Sequence, residues 1–160
     1  MEVVKVGMAD LKIAFSPQIL TTLGLGSCVG VVLYDPFIKL GGMAHIMLPS
    51  SKQIKNNSNK AKFADTAIDM LVEKMLDAGA VKTRLISKIA GGAQMFSFKG
   101  NNEIMKIGER NVRAVKEHLA RHSIKLVAED VEGKYGRTIE FFTETGVLKI
   151  RTIGHGYKEL

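Results

Sequence analysis

The chain carries a single cysteine, Cys28, set inside a glycine cluster, Gly24-Leu25-Gly26-Ser27-Cys28-Val29-Gly30. A lone cysteine forms no internal disulfide and cannot by itself build a zinc site. Its thiolate is a strong nucleophile, but a free thiol loses its proton only near pH ~8.5. The glycines suit a nucleophile turn, because they clear space around a sulfur and admit tight backbone conformations. They also leave backbone N–H groups, at Gly26 and Ser27, as candidate donors to the oxyanion that forms when a carboxamide is attacked. A tight turn between two core strands, with Cys28 as apolar filler, fits the same residues. A phosphate loop does not. Gly24, Gly26 and Gly30 miss the dinucleotide spacing by one residue, and the run that follows, Val29-Gly30-Val31-Val32-Leu33, is strand-like where a helix is required.

A thiol nucleophile needs a base, and His45 is the candidate. If the strands flanking Asp35-Pro36-Phe37-Ile38 form a hairpin in which Asp35 pairs with Ile38, Cys28 falls opposite His45. An imidazole there could take the thiol proton, stabilise the thiolate as an ion pair and later protonate departing ammonia. A third group must orient the ring. Thr22, in the strand entering the glycine turn, could accept a hydrogen bond from the imidazole, and Asp10 and Asp35 are charged alternatives. His118 and His122 lie four apart in a helical stretch, with no third metal ligand in view, and His155 sits between Gly154 and Gly156 near the end.

These residues must be positioned by regular elements. Strands are expected at Val3–Val6, Leu11–Phe15, Ile19–Leu23, Val29–Tyr34 and Leu40–Leu48, then an exposed polar loop at Ser50–Asn59. Ala61–Ala78 is the clearest helix: Phe63, Ala67, Leu71 and Met75 form a stripe that Ile68, Val72 and Leu76 widen, and Gly79 stops it. Arg84–Ile89 reads as a buried strand and Gly91–Phe96 as a loop. A second helix runs from Glu103 or Ile104 to about His122, with Gly108, Val112, Val115 and Leu119 on one face. Strands Ile124–Ala128, Thr138–Thr143 and Val147–Thr152 follow, the last two joined by a turn at Glu144-Thr145-Gly146. Strands outnumber helices and cluster at both ends. That pattern predicts a single-domain α/β sandwich over 1–160, with a mixed, mostly antiparallel sheet and two main helices.

Bulk properties narrow the function. The 160 residues carry 23 Lys and Arg against 16 Asp and Glu, a net charge of +7. The basic residues are dispersed, and aromatics make up only 6% of the chain, so stacking platforms for bases are scarce and nucleic acid is not an expected partner. No run reaches the ~20 apolar residues that span a bilayer, and the N-terminus lacks the pattern of a secretory signal, so a cytoplasmic protein without membrane insertion is expected.

With these residues in place the sequence resembles the chemoreceptor glutamine deamidase family, CheD. The resemblance is carried by Leu25-Gly26-Ser27-Cys28-Val29, Asp35-Pro36, Gly41-Gly42-Met43-Ala44-His45, Lys62-Phe63-Ala64-Asp65, Gly91-Gly92-Ala93-Gln94-Met95-Phe96, Ile107-Gly108-Glu109-Arg110-Asn111 and Gly136-Arg137. It departs at Asp130-Val131-Glu132-Gly133, where Glu132 stands in place of the first glycine of a Gly-Gly pair. The resemblance implies a fold like the cytotoxic necrotizing factor deamidases. It implies a triad of Cys28 as nucleophile, His45 as base and Thr22 as orienting residue, with Thr21 adjacent. The implied substrates are glutamine side chains of methyl-accepting chemoreceptors, converted to glutamate with release of ammonia and with no metal or cofactor. The chemotaxis phosphatase CheC is the implied partner. A regulatory module that binds receptors and the phosphatase without catalysis is the alternative.

Overall fold

The apolar alternation of the strands and the 3.6-residue stripe of the helices resolve into three layers, helices over one sheet and that sheet over another. The computed structural model describes residues 2–95 and 106–160. Among the described residues ten strands run β1 (Val3–Lys5), β2 (Leu11–Phe15), β3 (Ile19–Leu25), β4 (Val29–Asp35), β5 (Leu40–Ile46), β6 (Ile86–Gly91), β7 (Lys125–Val131), β8 (Arg137–Phe142), β9 (Val147–Thr152) and β10 (Gly156–Glu159). The helices are α1 (Ala64–Asp77) and α2 (Ile107–Arg121). Phe96 and the expected helix start at Glu103 or Ile104 lie outside the described residues.

The strands divide between two five-stranded sheets, ordered β1-β3-β8-β9-β10 and β2-β5-β4-β6-β7. Each is mixed: β1–β3 and β6–β7 are parallel, and the other neighbours are antiparallel. One expected sheet is therefore two. Local patterning marks strands but does not say which distant strands pair. β10, a strand not expected from the sequence, closes a hairpin on β9, and His155 sits at its turn, stacked 4.4 Å from Tyr135.

The strands of the second sheet alternate between two cores. Val29, Val31, Leu33, Ala44 and Ile46 face the helices, packing on Ala67, Ile68, Leu71, Met75 and Val115. Val32, Tyr34 and Met43 face the first sheet, packing with Leu20, Leu25, Ile139, Phe141 and Ile150. α1 begins at Ala64, after a short turn at Lys60–Lys62, and its buried stripe omits Leu76, which is 39% exposed. Past its end, Gly79 adopts φ +109, the left-handed conformation usual after a helix terminus.

The β4–β5 hairpin is longer than the sequence suggested. Asp35 pairs with Leu40, not Ile38, which places Gly30 opposite His45. Asp35 accepts the Phe37 N–H and Lys39 takes φ +53, so Pro36–Lys39 form a four-residue loop. The register differs by two, one full pleat. Position 28 keeps the side of the sheet on which His45 lies.

Candidate active site

The glycine cluster is where the chain crosses from one sheet to the other, between β3 and β4. Cys28 sits on this crossing, 8% exposed, among the residues of the inter-sheet core. Thr22 comes from β3 in the first sheet and His45 from β5 in the second, and both are buried. The site thus joins the two sheets at one end of the core between them.

The hydroxyl of Thr22 determines the state of the imidazole. Thr22 Oγ1 lies 2.7 Å from the Val6 carbonyl oxygen and 2.7 Å from His45 Nδ1. A hydroxyl has one proton, and a carbonyl can only accept, so that proton goes to Val6. Thr22 Oγ1 therefore accepts from His45, which requires the proton on Nδ1 and leaves the lone pair on Nε2. Nε2 is buried and has no hydrogen-bond partner among the described residues. Backbone bonds fix the rest of His45: its N–H donates to the Asp10 carbonyl at 3.0 Å and its carbonyl accepts from Ala9 at 3.1 Å.

The other candidates for orienting the ring are occupied elsewhere. Thr21 Oγ1 donates to the Ile139 carbonyl at 2.8 Å. The Asp10 carboxylate accepts from the Leu11 N–H. Asp35 lies at the far end of β4, paired with Arg84 Nη2 at 2.9 Å. Burial pushes the Asp35 carboxyl up, but the bonds from Arg84, Val81 and Phe37 outweigh it and hold the group below its ordinary value.

The three carbonyls of Gly26-Ser27-Cys28 are all held by donors on the β6–α2 side. Gly26 accepts from the Ala93 N–H at 2.8 Å, Ser27 from Asn111 Nδ2 at 3.0 Å and Cys28 from the Gly92 N–H at 2.8 Å. Gly26 spends its own N–H on the Gly24 carbonyl. Among the described residues the Ser27 N–H has no backbone partner, and the Cys28 N–H bears only on its own sulfur. Of the two candidate donors named from the sequence, the Gly26 N–H is therefore occupied and the Ser27 N–H is not. Two glycines permit this packing. A Cβ on Gly91, at φ +111, would lie 2.3 Å from the Cys28 carbonyl oxygen, and one on Gly108 would lie 2.5 Å from both the Gly92 and Ala93 oxygens.

Burial sets the charge state. It pushes the Cys28 thiol up, with the residue's own backbone N–H partly offsetting the shift, and it pushes the His45 imidazole down. Both shifts favour an uncharged thiol and imidazole. The thiolate–imidazolium pair expected from the sequence is not the resting state these surroundings favour.

The remaining histidines lie elsewhere. His122 Nε2 meets Asp69 Oδ1 at 2.6 Å, and His118 lines a surface groove with Asp65, Arg110 and Arg121. Among the described residues no group of three or more His, Cys, Asp or Glu is placed to hold a metal ion. No helix among them is long and apolar enough to cross a membrane.

Asn111 is the site residue that sequence reasoning passed over. It closes the motif Ile107-Gly108-Glu109-Arg110-Asn111. Its position was a signal: at three residues after Gly108 and one before Val112, an amide falls on the buried stripe of α2.

The family model for CheD chemotactic sensory transduction matches residues 47–152. A probable chemoreceptor glutamine deamidase CheD of Caldanaerobacter subterraneus subsp. tengcongensis is 62% identical over 98% of the chain and 97% of its own length. The chain belongs to the CheD family. Another CheD relative, the probable chemoreceptor glutamine deamidase of Syntrophomonas wolfei, is 59% identical over 97% of the chain and 96% of its own length. The chemoreceptor glutamine deamidase CheD of Halalkalibacterium halodurans is 57% identical over 99% of both chains. The family model's match begins after Thr22, Cys28 and His45, whereas these full-length CheD relatives span nearly the whole chain.

Proposed function

We propose that this chain is a chemoreceptor glutamine deamidase, hydrolysing receptor glutamine side chains to glutamate and ammonia, with Cys28 as nucleophile, His45 as base and Thr22 as orienting residue. Family membership supports the substrate. The observation that supports the chemistry is the unpartnered, buried lone pair of His45 Nε2, produced by the single proton of Thr22.

In this reading Nε2 takes the Cys28 proton as sulfur attacks the carboxamide carbon. The S–C bond forms, and the carbonyl electron pair moves onto oxygen. The Ser27 and Cys28 N–H groups receive that oxyanion. Imidazolium His45 then gives its proton to the nitrogen as the C–N bond breaks, and ammonia leaves a thioester. Water, deprotonated at Nε2, attacks the thioester. Glutamate departs, and the proton returns to sulfur. Thr22 is neutral, so it orients the ring more than it stabilises imidazolium charge. No step draws on a metal or cofactor.

One observation favours the alternative, a regulatory module without catalysis. Cys28 is buried and its thiol is pushed up. General-base attack accounts for the same observation, because it starts from a neutral thiol. The readings separate in an ammonia-release assay with purified chemoreceptor, in which Cys28→Ala and His45→Ala should both be inactive. Full activity in Cys28→Ala would overturn the reading. The resemblance also supports a cytoplasmic setting and binding to the phosphatase CheC, tested by co-purification.

A further inference from the structure

A polar side chain that reaches both the nucleophile turn and the residue just past the strand of the base comes from neither sheet. Asn111 is fully buried on α2, and its Nδ2 donates two hydrogen bonds, to the Ser27 carbonyl at 3.0 Å and to the Met47 carbonyl at 2.9 Å. Ser27 precedes the nucleophile, and Met47 follows His45 by two residues. One NH2 group thus ties the turn that carries Cys28 to the residue that follows β5, the strand that carries His45.

A trans peptide is planar, with its C=O and N–H pointing in opposite directions. The Ser27 carbonyl and the Cys28 N–H belong to the same peptide. Holding that carbonyl toward α2 aims the Cys28 N–H away from α2. The neighbouring peptides are fixed by backbone bonds, Gly26 by Ala93 and Cys28 by Gly92. The Ser27–Cys28 peptide is the only member of the turn whose carbonyl depends on a side chain. Only an amide supplies two protons to two carbonyls at this place, since a carboxylate would set oxygen against oxygen.

We propose that Asn111 is a positioning residue that aims the Cys28 backbone N–H at the oxyanion. The inference rests on Cys28 and His45 acting as proposed above. The mechanism assigns Asn111 no contact with the reacting atoms; it acts through the Ser27–Cys28 peptide.

The test compares wild type, Cys28→Ala, Asn111→Ala and Asn111→Asp in two assays. Deamidation passes through an oxyanion, whereas alkylation of Cys28 by iodoacetamide does not. Loss of an aimed oxyanion donor lowers kcat by about 100-fold, given the usual 10²–10³ for one donor. The alkylation rate of Cys28 should stay within about twofold in the same variants, a split that a loosened fold would not produce. Should neither variant fold, the wild-type protein is titrated with a glutamine-derived peptide aldehyde, whose hemithioacetal places its oxygen where the oxyanion forms. The Cys28 amide proton should then move downfield in the NMR spectrum. Deamidation within twofold of wild type in either folded Asn111 variant overturns the proposal, as does equal loss in both assays or an unmoved Cys28 amide. Failure of the underlying reading looks different: Cys28→Ala would keep its activity, or wild type would release no ammonia.

Discussion

Replacing Thr22 with Val keeps the branched shape of the side chain and removes the oxygen that receives the His45 Nδ1 proton. The bond it removes is 2.7 Å long, and both residues are buried, so water does not substitute. A buried donor left without an acceptor costs about 1–3 kcal/mol. The ring escapes that cost by moving its proton to Nε2 or by turning, and either change removes the free Nε2 lone pair that the proposed base needs. Spread over the barrier, a loss of that size lowers kcat by roughly 10- to 100-fold. KM should hardly change, because the Thr22 side chain acts through His45. The assay is ammonia release against chemoreceptor concentration, with Thr22→Ser retaining most of the activity. Thr21→Val is the control: its hydroxyl serves the Ile139 carbonyl, so it should lower stability and leave kcat near wild type. A Thr22→Val enzyme within twofold of wild type, or an equal fall in Thr21→Val, would refute the proton-counting argument.

Further outcomes follow from the same geometry. Since burial holds the His45 imidazole below its usual range, kcat/KM should persist through about pH 6.5 and fall only at more acidic pH. Alkylation of Cys28 should be slow at neutral pH and still be rising above about pH 8.5; a plateau in the acidic range would reveal an ion pair instead. Below about pH 6.5 the unfolded chain binds a proton that buried His45 resists, so the melting temperature should decline as pH drops through that value, and less so in His45→Gln. Gly108→Ala drives a methyl into two backbone oxygens and should cost about 3 kcal/mol or more, read by urea denaturation. Glu132 occupies φ +67, so Glu132→Gly should stabilise the fold by about 1 kcal/mol, or raise Tm by ~2–4 °C.

That last position shows what a departure from the family pattern means physically. Glu132 keeps the left-handed conformation that a glycine adopts freely, because its N–H donates to the Gly91 carbonyl and its own carbonyl accepts from Arg137. Elsewhere the sequence was legible where the relevant forces are local. Most of the α1 stripe, its glycine stop and the main strand runs were readable and are present in the structure, whereas Leu76, read into the stripe, is exposed. The hairpin register was read short by one pleat, because nothing in Asp35-Pro36-Phe37-Ile38 announces that Lys39 will turn left-handed. The side of the sheet survived that error because a shift of two preserves it. The division into two sheets was not readable, since β3 pairs with β8 across more than a hundred residues. Nor was the charge state of the thiol and imidazole, which depends on burial by strands far apart in the chain. The burial of Asn111 was readable from the stripe of α2, but its partners, Ser27 and Met47, are set by tertiary packing.

The central claim is that Cys28 converts receptor glutamine to glutamate through a covalent step. Mass spectrometry of chemoreceptor incubated with wild type or with Cys28→Ala tests it most directly. Wild type should add about 1 Da at defined glutamine sites, and Cys28→Ala should add none. Equal conversion by the two proteins, or no conversion by wild type, would contradict the account.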